Sequence, residues 1–363
     1  MIGLGLRTNK LRAESGGGGA TPPVFTVAPQ ISGTAVVGQP LTCDGGTVTG
    51  TEPITRSYQW YRGATPVGTN SNTYTLVQAD AGNTSNIKCV VTATNVAGSA
   101  SSDSNTVAQV LDADANAYFT AIALTNSTIK AAENTFFISR KNLFALNTAI
   151  ASYHLITDSV TNSDRLNQFK FNAYNPINAD ANKRLVFGGT VTANTTGLQG
   201  SANGFANTFV NPSTDYSGTD FTCIYAINTS SSNGVDFGNV DSGGNGLWIA
   251  TKFTDANTYY GAYTGSQNKG NVIANSKAIY SYKRSGNTVT LKRNNVTIFT
   301  DTIAAGSKLN YSMYLLCRNF NGTGQLYTTK EYSFFEFIGS AITAQQETDF
   351  YTALAAREAA LGR

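Results

Sequence analysis

The chain has 363 residues, 41% of them hydrophobic, which suits about two domains with ordinary packed cores. Only 13% of the residues are charged and the formal net charge is +3, so we expect no nucleic-acid partner, and no apolar run is long enough for membrane insertion. The single histidine, His154, excludes a zinc site built on several histidines and weighs against histidine-based acid–base catalysis. The 35 glycines, 18 tyrosines and 19 phenylalanines favour strands and turns, so a mainly β fold is expected.

Residues 1–23 predict an N-terminal docking peptide on a glycine-rich tether. The start, MIGLGLRTNKLR, has too short an apolar stretch for a secretory signal, which predicts that the chain is not exported by the usual route. Ile2, Leu4 and Leu6 alternate with glycines, a pattern that suits an extended strand on the exposed edge of another chain, with Arg7 at an acidic rim. The stretch ESGGGGATPP then supplies the flexible tether. The alternative is a disordered terminus without a partner.

Residues 24–110 consist of short alternating runs separated by turns. Trp60 lies 17 residues after Cys43 and 29 residues before Cys89. A Cys, Trp, Cys order at such spacings predicts an immunoglobulin-like sandwich, in which the indole packs on the sulfurs that join the two sheets. The segment DAGNTSNIKCVVTATNVAG resembles the closing motif of such a domain, with Ile87 in place of the usual corner tyrosine. In a reducing cytosol the two cysteines can persist as buried thiols, so a disulfide and two thiols both stay open.

Beyond residue 110 the pattern changes twice. Residues 111–152 predict a helical linker, with a cap at Asp112 or Asp114 and a second helical stretch over roughly residues 127–150. Residues 153–363 then contain about ten alternating runs, from NQFKFNAY to YSFFEFIG, which predict one large sandwich. A capping box formed by Thr343 and Gln346 predicts a C-terminal amphipathic helix.

Three segments of this last domain resemble a known family. They are FGGTVTANTTGLQGSANGFANT (187–208), YSYKRSGNTVTLKRNNVTIFT (280–300) and EFIGSAITAQQETDFYTAL with the terminal LGR (336–363). They resemble the concanavalin A-like, or laminin G-like, lectin sandwiches of phage virion proteins, and the whole chain looks like a fibre or decoration protein of a tailed phage. The implied fold is mainly β: an immunoglobulin-like sandwich, a helical linker, and a concanavalin A-like jelly-roll sandwich that ends in a helix.

The resemblance also implies a function. We expect a non-enzymatic structural protein of the virion, made in the bacterial host cytoplasm and forming a homo-oligomer. Its implied partners are other virion proteins, bound through the N-terminal segment, and host-surface polysaccharide, with no cofactor required. The alternatives are a bacterial surface adhesin, a decoration protein that binds no glycan, and a glycan hydrolase with a divergent site.

The run FTDANTYYGAYTGSQNKG predicts a carbohydrate-binding site. Sugar binding uses an aromatic face for stacking and amides or carboxylates for the hydroxyls. The residues assigned to these roles are Asp255, Asn257, Tyr259, Tyr260 and Tyr263. The alternative is that the tyrosines alternate between the core and the surface of a strand.

A glycine-rich loop, GNVDSGGNG, offers oxygen ligands for a possible calcium ion. The side chains concerned are Asp236, Asn239, Asp241 and Asn245. Their spacing is not diagnostic, and the alternative is a plain turn.

Catalysis finds little support in the sequence. Glycan hydrolysis needs two convergent carboxylates, and the nearest acidic pair, Glu331 and Glu336, is expected to face opposite sides of a strand because the two are five residues apart. His154 has no GxSxG partner motif and is expected to be a structural histidine at the end of the second helical stretch.

Overall fold

The computed structural model describes residues 19–143, 149–173, 183–230, 233–265, 267–268, 273–304 and 306–363. The described chain divides into two compact units. Unit 1 holds the residues up to Asp80 together with Thr84–Gln109, and unit 2 holds Ala81–Asn83 and Val110–Arg363. Both units consist largely of strands and the chain closes with a helix, so the predicted mainly β fold is confirmed.

Unit 1 forms three small antiparallel sheets in the described part of the chain. Its strands are β1 Val24–Val27, β2 Ile31–Gly33, β3 Pro40–Cys43, β4 Thr47–Thr49, β5 Thr55–Arg62, β6 Thr65–Val67, β7 Thr73–Thr75, β8 Ile87–Asn95 and β9 Gly98–Asp103. The sheet orders are β6-β5-β8-β9, β2-β3-β7 and β1-β4. The short strands and frequent turns follow the alternating runs of the sequence, as a pleated sheet with one buried face requires.

The predicted Cys, Trp, Cys set lies at the centre of unit 1. Cys43, Trp60 and Cys89 are fully buried, and Trp60 pairs with Cys89 across β5 and β8. The Trp60 ring stacks on Tyr74 with centroids 5.6 Å apart, and its Nε1 donates to the Ser71 carbonyl at 2.9 Å. Both cysteines are free thiols. Burial, with Cys43 close by, raises the pKa of Cys89 to about 12, so this thiol is unreactive at neutral pH.

Unit 2 contains helices and two larger sheets. Its described helices are α1 Ala113–Ala121, α2 Ser127–Leu143, α3 Asn162–Phe169, α4 Pro212–Asp215 and α5 Ala344–Ala360. Its described strands are β10 Ala149–His154, β11 Val186–Gly188, β12 Thr192–Ala193, β13 Leu198–Gln199, β14 Phe205–Asn207, β15 Phe221–Ile227, β16 Phe237–Val240, β17 Leu247–Ala250, β18 Tyr259–Ala262, β19 Gln267–Asn268, β20 Ala278–Ser285, β21 Thr288–Arg293, β22 Val296–Thr302, β23 Tyr314–Leu315, β24 Arg318–Phe320, β25 Thr323–Gln325 and β26 Glu331–Ile338.

The two sheets of unit 2 enclose one core. The eight-stranded sheet has the order β12-β13-β26-β15-β20-β21-β22, with β10 also paired to β26. The nine-stranded sheet has the order β11-β14-β23-β16-β17-β18-β19, with β24 paired to β16 and β25 paired to β24. Aromatic side chains from both sheets meet between them: Phe237 lies edge to face against Tyr225 and Phe337, with centroid distances of 5.3 and 5.5 Å. Such pairs add to the hydrophobic effect that holds the sheets together.

A helical layer covers the other face of the eight-stranded sheet. Phe136 of α2 contacts Phe334 of β26 and Phe350 of α5 edge to face, at 5.5 and 5.7 Å. The predicted capping box of α5 is confirmed, because the Thr343 hydroxyl accepts from the Gln346 amide while the Gln346 side chain accepts from the Thr343 amide. None of the helices in the described residues is long and apolar enough to cross a membrane.

Two local predictions are wrong. The second helical stretch ends at Leu143, and Ala149–His154 form β10, which pairs with β26. Ala151 and Tyr153 face the core, while Ser152 and His154 face the helical layer, as alternation along a strand requires. The run NQFKFNAY, predicted as a strand, begins inside α3, whose first turn is capped by the Thr161 hydroxyl. The described residues within 111–152, assigned by the sequence to a linker, group with unit 2.

Candidate functional site

The side chains of β17 alternate between the two faces of the nine-stranded sheet. Leu247 and Ile249 lie in the core between the sheets. Trp248 and Ala250 belong to a separate cluster on the opposite, outer face, and Tyr259 of β18 packs against that cluster. The pleat of two neighbouring strands therefore places an indole and a phenol ring side by side away from the core.

A cavity of about 130 Å³, which we call the outer pocket, opens at this cluster. It is lined by Val235, Trp248, Ala250, Phe253, Tyr259 and Leu326. The rings of Phe253 and Tyr259 meet edge to face with centroids 5.5 Å apart, and the Arg318 guanidinium lies 5.4 Å from the Trp248 ring centre. Leu326 is 41% exposed, so an apolar surface continues from the pocket to solvent. The walls of the pocket are aromatic and aliphatic.

A polar loop holds the Tyr259 hydroxyl. Oδ2 of Asp255 accepts from the Tyr259 hydroxyl at 2.7 Å and from Asn257 Nδ2 at 2.9 Å, while Oδ1 accepts from the Asn257 amide at 3.0 Å. These hydrogen bonds, that of Tyr259 first, lower the pKa of Asp255, so the exposed carboxylate is charged at neutral pH. Three of the five predicted sugar-site residues are therefore brought together beside the outer pocket.

The assignment of Tyr260 and Tyr263 to a sugar site is wrong, because both are core residues. Tyr260 is fully buried, stacks on Phe299 with centroids 4.8 Å apart, and donates to Asp301 at 2.5 Å. Tyr263 is 1% exposed and lies edge to face against Phe221 at 5.8 Å. Side chains alternate along β18, so Tyr260 faces the core. Tyr263 follows the strand with a left-handed φ of 68°, and its side chain also lies in the core.

The glycine-rich loop does not gather its oxygen atoms at one point. Asp236 is buried and accepts from Lys330 Nζ at 2.7 Å. Asn239 is also buried, whereas Asp241 accepts from the backbone and side-chain nitrogens of Asn245 at 2.9 and 3.0 Å. Among the described residues, no group of three or more His, Cys, Asp or Glu side chains is placed to hold a metal ion. Donors within the protein therefore bind both carboxylates, Asp236 and Asp241.

The predicted docking residues, Ile2, Leu4, Leu6 and Arg7, lie outside the described residues.

A buried polar cluster lies between the helical layer and the eight-stranded sheet. His154 Nδ1 lies 2.7 Å from Glu133 Oε2, and its Nε2 lies 3.0 Å from Ser152 Oγ. Ser152 Oγ donates to Glu336 at 2.9 Å, and Arg357 Nε donates to Glu133 at 2.5 Å. Burial lowers the pKa of His154 even though the Glu133 carboxylate raises it. The order of Ser152, His154 and Glu133 is that of a hydrolytic triad, but Ser152 and His154 are each 1% exposed, so substrate cannot reach the hydroxyl.

The expected geometry of the acidic pair is also wrong. Tyr332 and Phe335 both face the core although they are three residues apart, because a bulge interrupts the pairing of β26 with β15. The bulge shifts the alternation, so Glu331 and Glu336 both leave the strand on its helix-facing side. Glu336 is bound by Arg140 at 2.8 Å, and Glu331 accepts from Asn194 at 2.5 Å. Each carboxylate has its own partner.

Trp248, Phe253 and Leu326 line the outer pocket but are not among the site residues predicted from the sequence. The available signal for Trp248 was the run GLWIATKF. Alternation along a strand places Leu247 and Trp248 on opposite faces of the sheet. Leu326 comes from a turn far along the chain and carries no local signal for the pocket.

No protein-family model matches the chain, and no curated protein matches it. Parts of the chain are similar to solved structures. The ganglioside-dependent botulinum neurotoxin type C aligns at 10% identity and a TM-score of 0.41, over 59% of this chain and 52% of the toxin chain. Domain 4 of AbnA, an extracellular arabinanase from Geobacillus stearothermophilus solved with arabinotriose, aligns at 15% identity and a TM-score of 0.38, over 56% of this chain and 98% of that domain.

The NanB sialidase of Streptococcus pneumoniae aligns at 13% identity and a TM-score of 0.32, over 38% of this chain. The chain spans 25% of the sialidase and about half of the toxin chain. TM-scores below 0.5 do not establish a shared function.

Proposed function

We propose that unit 2 is a glycan-binding β-sandwich and that the outer pocket is its sugar site. The observation that carries the proposal is the aromatic wall formed by Trp248, Phe253 and Tyr259 beside the charged Asp255 carboxylate. The apolar face of a pyranose ring stacks on aromatic rings, and its hydroxyls donate to carboxylates and accept from amides. Asn257 supplies the amide next to Asp255.

The proposed role is binding without hydrolysis. Glycoside hydrolysis uses two carboxyl groups on either side of the scissile bond. The six residues that line the outer pocket include no carboxylate, and Asp255 lies beside it. Binding at such an open site is expected to be weak for one copy and to gain ~10² or more in avidity when several copies engage one surface.

We further propose that the chain is a structural protein of a tailed-phage virion, with an immunoglobulin-like unit 1 as spacer and the glycan-binding unit presented toward the host. The resemblance of residues 187–208, 280–300 and 336–363 to phage lectin-like sandwiches supports this role. The proposed anchor is the N-terminal segment, whose alternating apolar residues suit strand addition to another virion protein. Mass spectrometry of purified virions is the direct test, and absence of the chain from the particle would refute the role.

The anchor has a separate test. Deletion of residues 1–13 should leave the two units folded and abolish incorporation into the particle, since only the docking strand is removed. A particle that incorporates the truncated chain at the normal level would exclude this anchor and leave the glycan site untouched.

A glycan array probed with the whole particle or the oligomer tests the sugar site. We expect a signal that Tyr259→Ala reduces about tenfold, because the variant loses a stacking face worth ~1 kcal/mol or more. Tyr311→Ala is the matched control, since Tyr311 is a 37% exposed tyrosine outside the pocket, and it should leave the signal unchanged. A particle that binds no glycan would refute the proposal.

Tryptophan fluorescence gives an independent readout. The chain has two tryptophans, Trp60 in unit 1 and Trp248 in the pocket wall. In the Trp60→Phe background a bound sugar should change the Trp248 emission, and Tyr259→Ala should shift that titration to higher sugar concentration.

A further inference from the structure

A second cavity of unit 2 lies where the C-terminal half of α5 passes beside the ends of β15 and β20. This cavity, which we call the helix cleft, has a volume of about 350 Å³, within the ~300–1,000 Å³ of small-molecule sites. Its lining includes Asn275, Lys277, Ile279, Asn294, Tyr351, Glu358 and Arg363. None of these residues lines the outer pocket, which opens on the other sheet.

Glu358 brings a buried carboxylate to the cleft wall. The side chain is only 9% exposed, and its Oε1 accepts from Arg357 Nη1. Its Oε2 is buried and accepts no hydrogen bond from any described residue. A buried carboxylate oxygen is strongly destabilising unless a donor satisfies it. Because Glu358 lines the cleft, a ligand bound there can supply this donor.

Fixed amides face the same space. Asn294 Oδ1 accepts from the Ile279 amide at 3.0 Å, and Asn275 Oδ1 accepts from the Lys277 amide at 2.8 Å. These bonds orient both side chains, and neither Nδ2 has a partner among the described residues. Two oriented N–H donors therefore line the same cleft as the Glu358 carboxylate.

The charges in the cleft decide between the possible donors. Lys277 and Arg363 both line it, and Glu358 already forms an ion pair with Arg357. A cationic amine would meet two positive charges, so a neutral hydroxyl is the favoured donor. The half-exposed ring of Tyr351 adds a face for stacking, and Ile279 adds an apolar floor.

We propose that the helix cleft is a second saccharide site, which takes a neutral or acidic sugar of one or two rings. A ligand hydroxyl donates to Glu358 Oε2, and the Nδ2 groups of Asn275 and Asn294 donate to ligand oxygens. The ligand class agrees with that of the proposed function. The helix cleft shares no lining residue with the outer pocket, so the two sites can be tested separately.

Saturation-transfer NMR on the full chain tests this site, with the methyl glycosides of glucose, galactose, N-acetylglucosamine and glucuronic acid at millimolar concentration. Asn294→Asp keeps the acceptor for the Ile279 amide, tolerates the φ of 48° and replaces the donor by an acceptor, so it should weaken binding about tenfold. Tyr351→Ala and Glu358→Gln should do the same. If Glu358→Gln does not fold, the variants at the exposed Asn294 and the half-exposed Tyr351 still test the site.

Tyr259→Ala is the matched control for the other site. Residual binding in Tyr259→Ala that Asn294→Asp removes supports the helix cleft. Binding that Tyr259→Ala abolishes and the cleft variants leave unchanged overturns the cleft and keeps the outer pocket. If the Tyr259→Ala chain transfers saturation to none of the four sugars, the helix cleft is also overturned. The glycan array tests the outer pocket separately.

Discussion

Tyr259 and Tyr260 are neighbours with opposite environments. Tyr259 leaves β18 on the outer face, contacts Phe253 and gives its hydroxyl to Asp255. Tyr260 leaves on the inner face, stacks on Phe299 and gives its hydroxyl to Asp301. One residue of displacement along a strand therefore separates a candidate ligand contact from a core residue.

The two tyrosines should differ in their effect on stability. Tyr260→Ala removes a fully buried ring, so we expect the free energy of unfolding to fall by about 3–5 kcal/mol. Tyr259→Ala removes a half-exposed ring and should cost about 1 kcal/mol or less. Urea unfolding followed by Trp248 fluorescence in the Trp60→Phe background measures both values. Equal losses in the two variants would contradict the assigned faces.

The buried charges around His154 link stability to pH. Burial lowers the pKa of His154, and it would raise that of Glu133, but Arg357 and His154 more than offset this and bring the pKa of Glu133 to about 2. Both pKa values are thus lower in the folded chain than in the unfolded chain, which binds more protons as the pH falls. The stabilisation is complete above about pH 6.5 and is lost in acid.

We therefore expect the free energy of unfolding of unit 2 to decline from about pH 6.5 downward and to fall further between about pH 4.5 and 2, where Glu133 alone accounts for about 3 kcal/mol. Urea titrations at several pH values measure this decline. Glu133→Gln removes one of the two carboxylates paired with Arg357, so it should be less stable at pH 7 and should lack the decline in the free energy of unfolding between about pH 4.5 and 2. Asp349→Asn, on α5 away from the cluster, should keep this decline, and a decline that survives in Glu133→Gln would refute the assignment.

At the scale of elements, α5 packs against both α2 and the eight-stranded sheet. Its capping box begins the helix at Ala344, and Phe350 and Leu354 pack with Phe334 and Ile338 on the outer face of β26. The same helix supplies Arg357 to the buried cluster. The helix therefore belongs to the core of unit 2 and also forms one wall of the helix cleft.

Removal of the cap should destabilise unit 2. Thr343→Ala leaves the Gln346 amide without its acceptor, so we expect a loss of about 1 kcal/mol in the free energy of unfolding. Thr352→Ala is the control, because an exposed position in the middle of the helix should tolerate alanine without loss. The same fluorescence-monitored urea unfolding compares them, and equal stability of the wild type and Thr343→Ala would contradict the role of the cap.

At the scale of the whole molecule, each unit has its own core and two buried cysteines that can report its unfolding. Cys43 and Cys89 lie in unit 1, and Cys223 and Cys317 lie in unit 2. All four are buried free thiols. Burial raises the pKa of Cys89 and of Cys317 to about 12, and it raises that of Cys223 as well.

We expect no cysteine of the native chain to react with iodoacetamide, because a buried thiol is neither accessible nor ionised. In increasing urea the two cysteines of one unit should become labelled together, and those of the other unit at a different midpoint, as measured by mass spectrometry of the cysteine peptides. Labelling of any cysteine in the native chain would contradict the burial, and one midpoint for all four would contradict two independently unfolding units.

Local patterns in the sequence were sufficient for several features. Alternation predicts β15, β20 and β26, the Cys43, Trp60, Cys89 set marks a packed centre, and the T-x-x-Q pattern marks the start of α5. Each of these features depends on side chains within a few residues or on a buried set with fixed spacing. Among the site residues, the grouping of Asp255 with Asn257 and Tyr259 is local in the same sense.

Other features depend on which elements pack together, and only the tertiary structure decides those. The sequence does not say which face of β18 meets the second sheet, so it could not separate Tyr259 from Tyr260. The bulge in β26 that brings Glu331 and Glu336 to one face depends on the pairing with β15. Glu133 and Arg357 are 224 positions apart and meet only because α2 and α5 cover the same sheet. Burial of charge and the lining of a cavity are properties of surfaces brought together by folding, and no local pattern contains them.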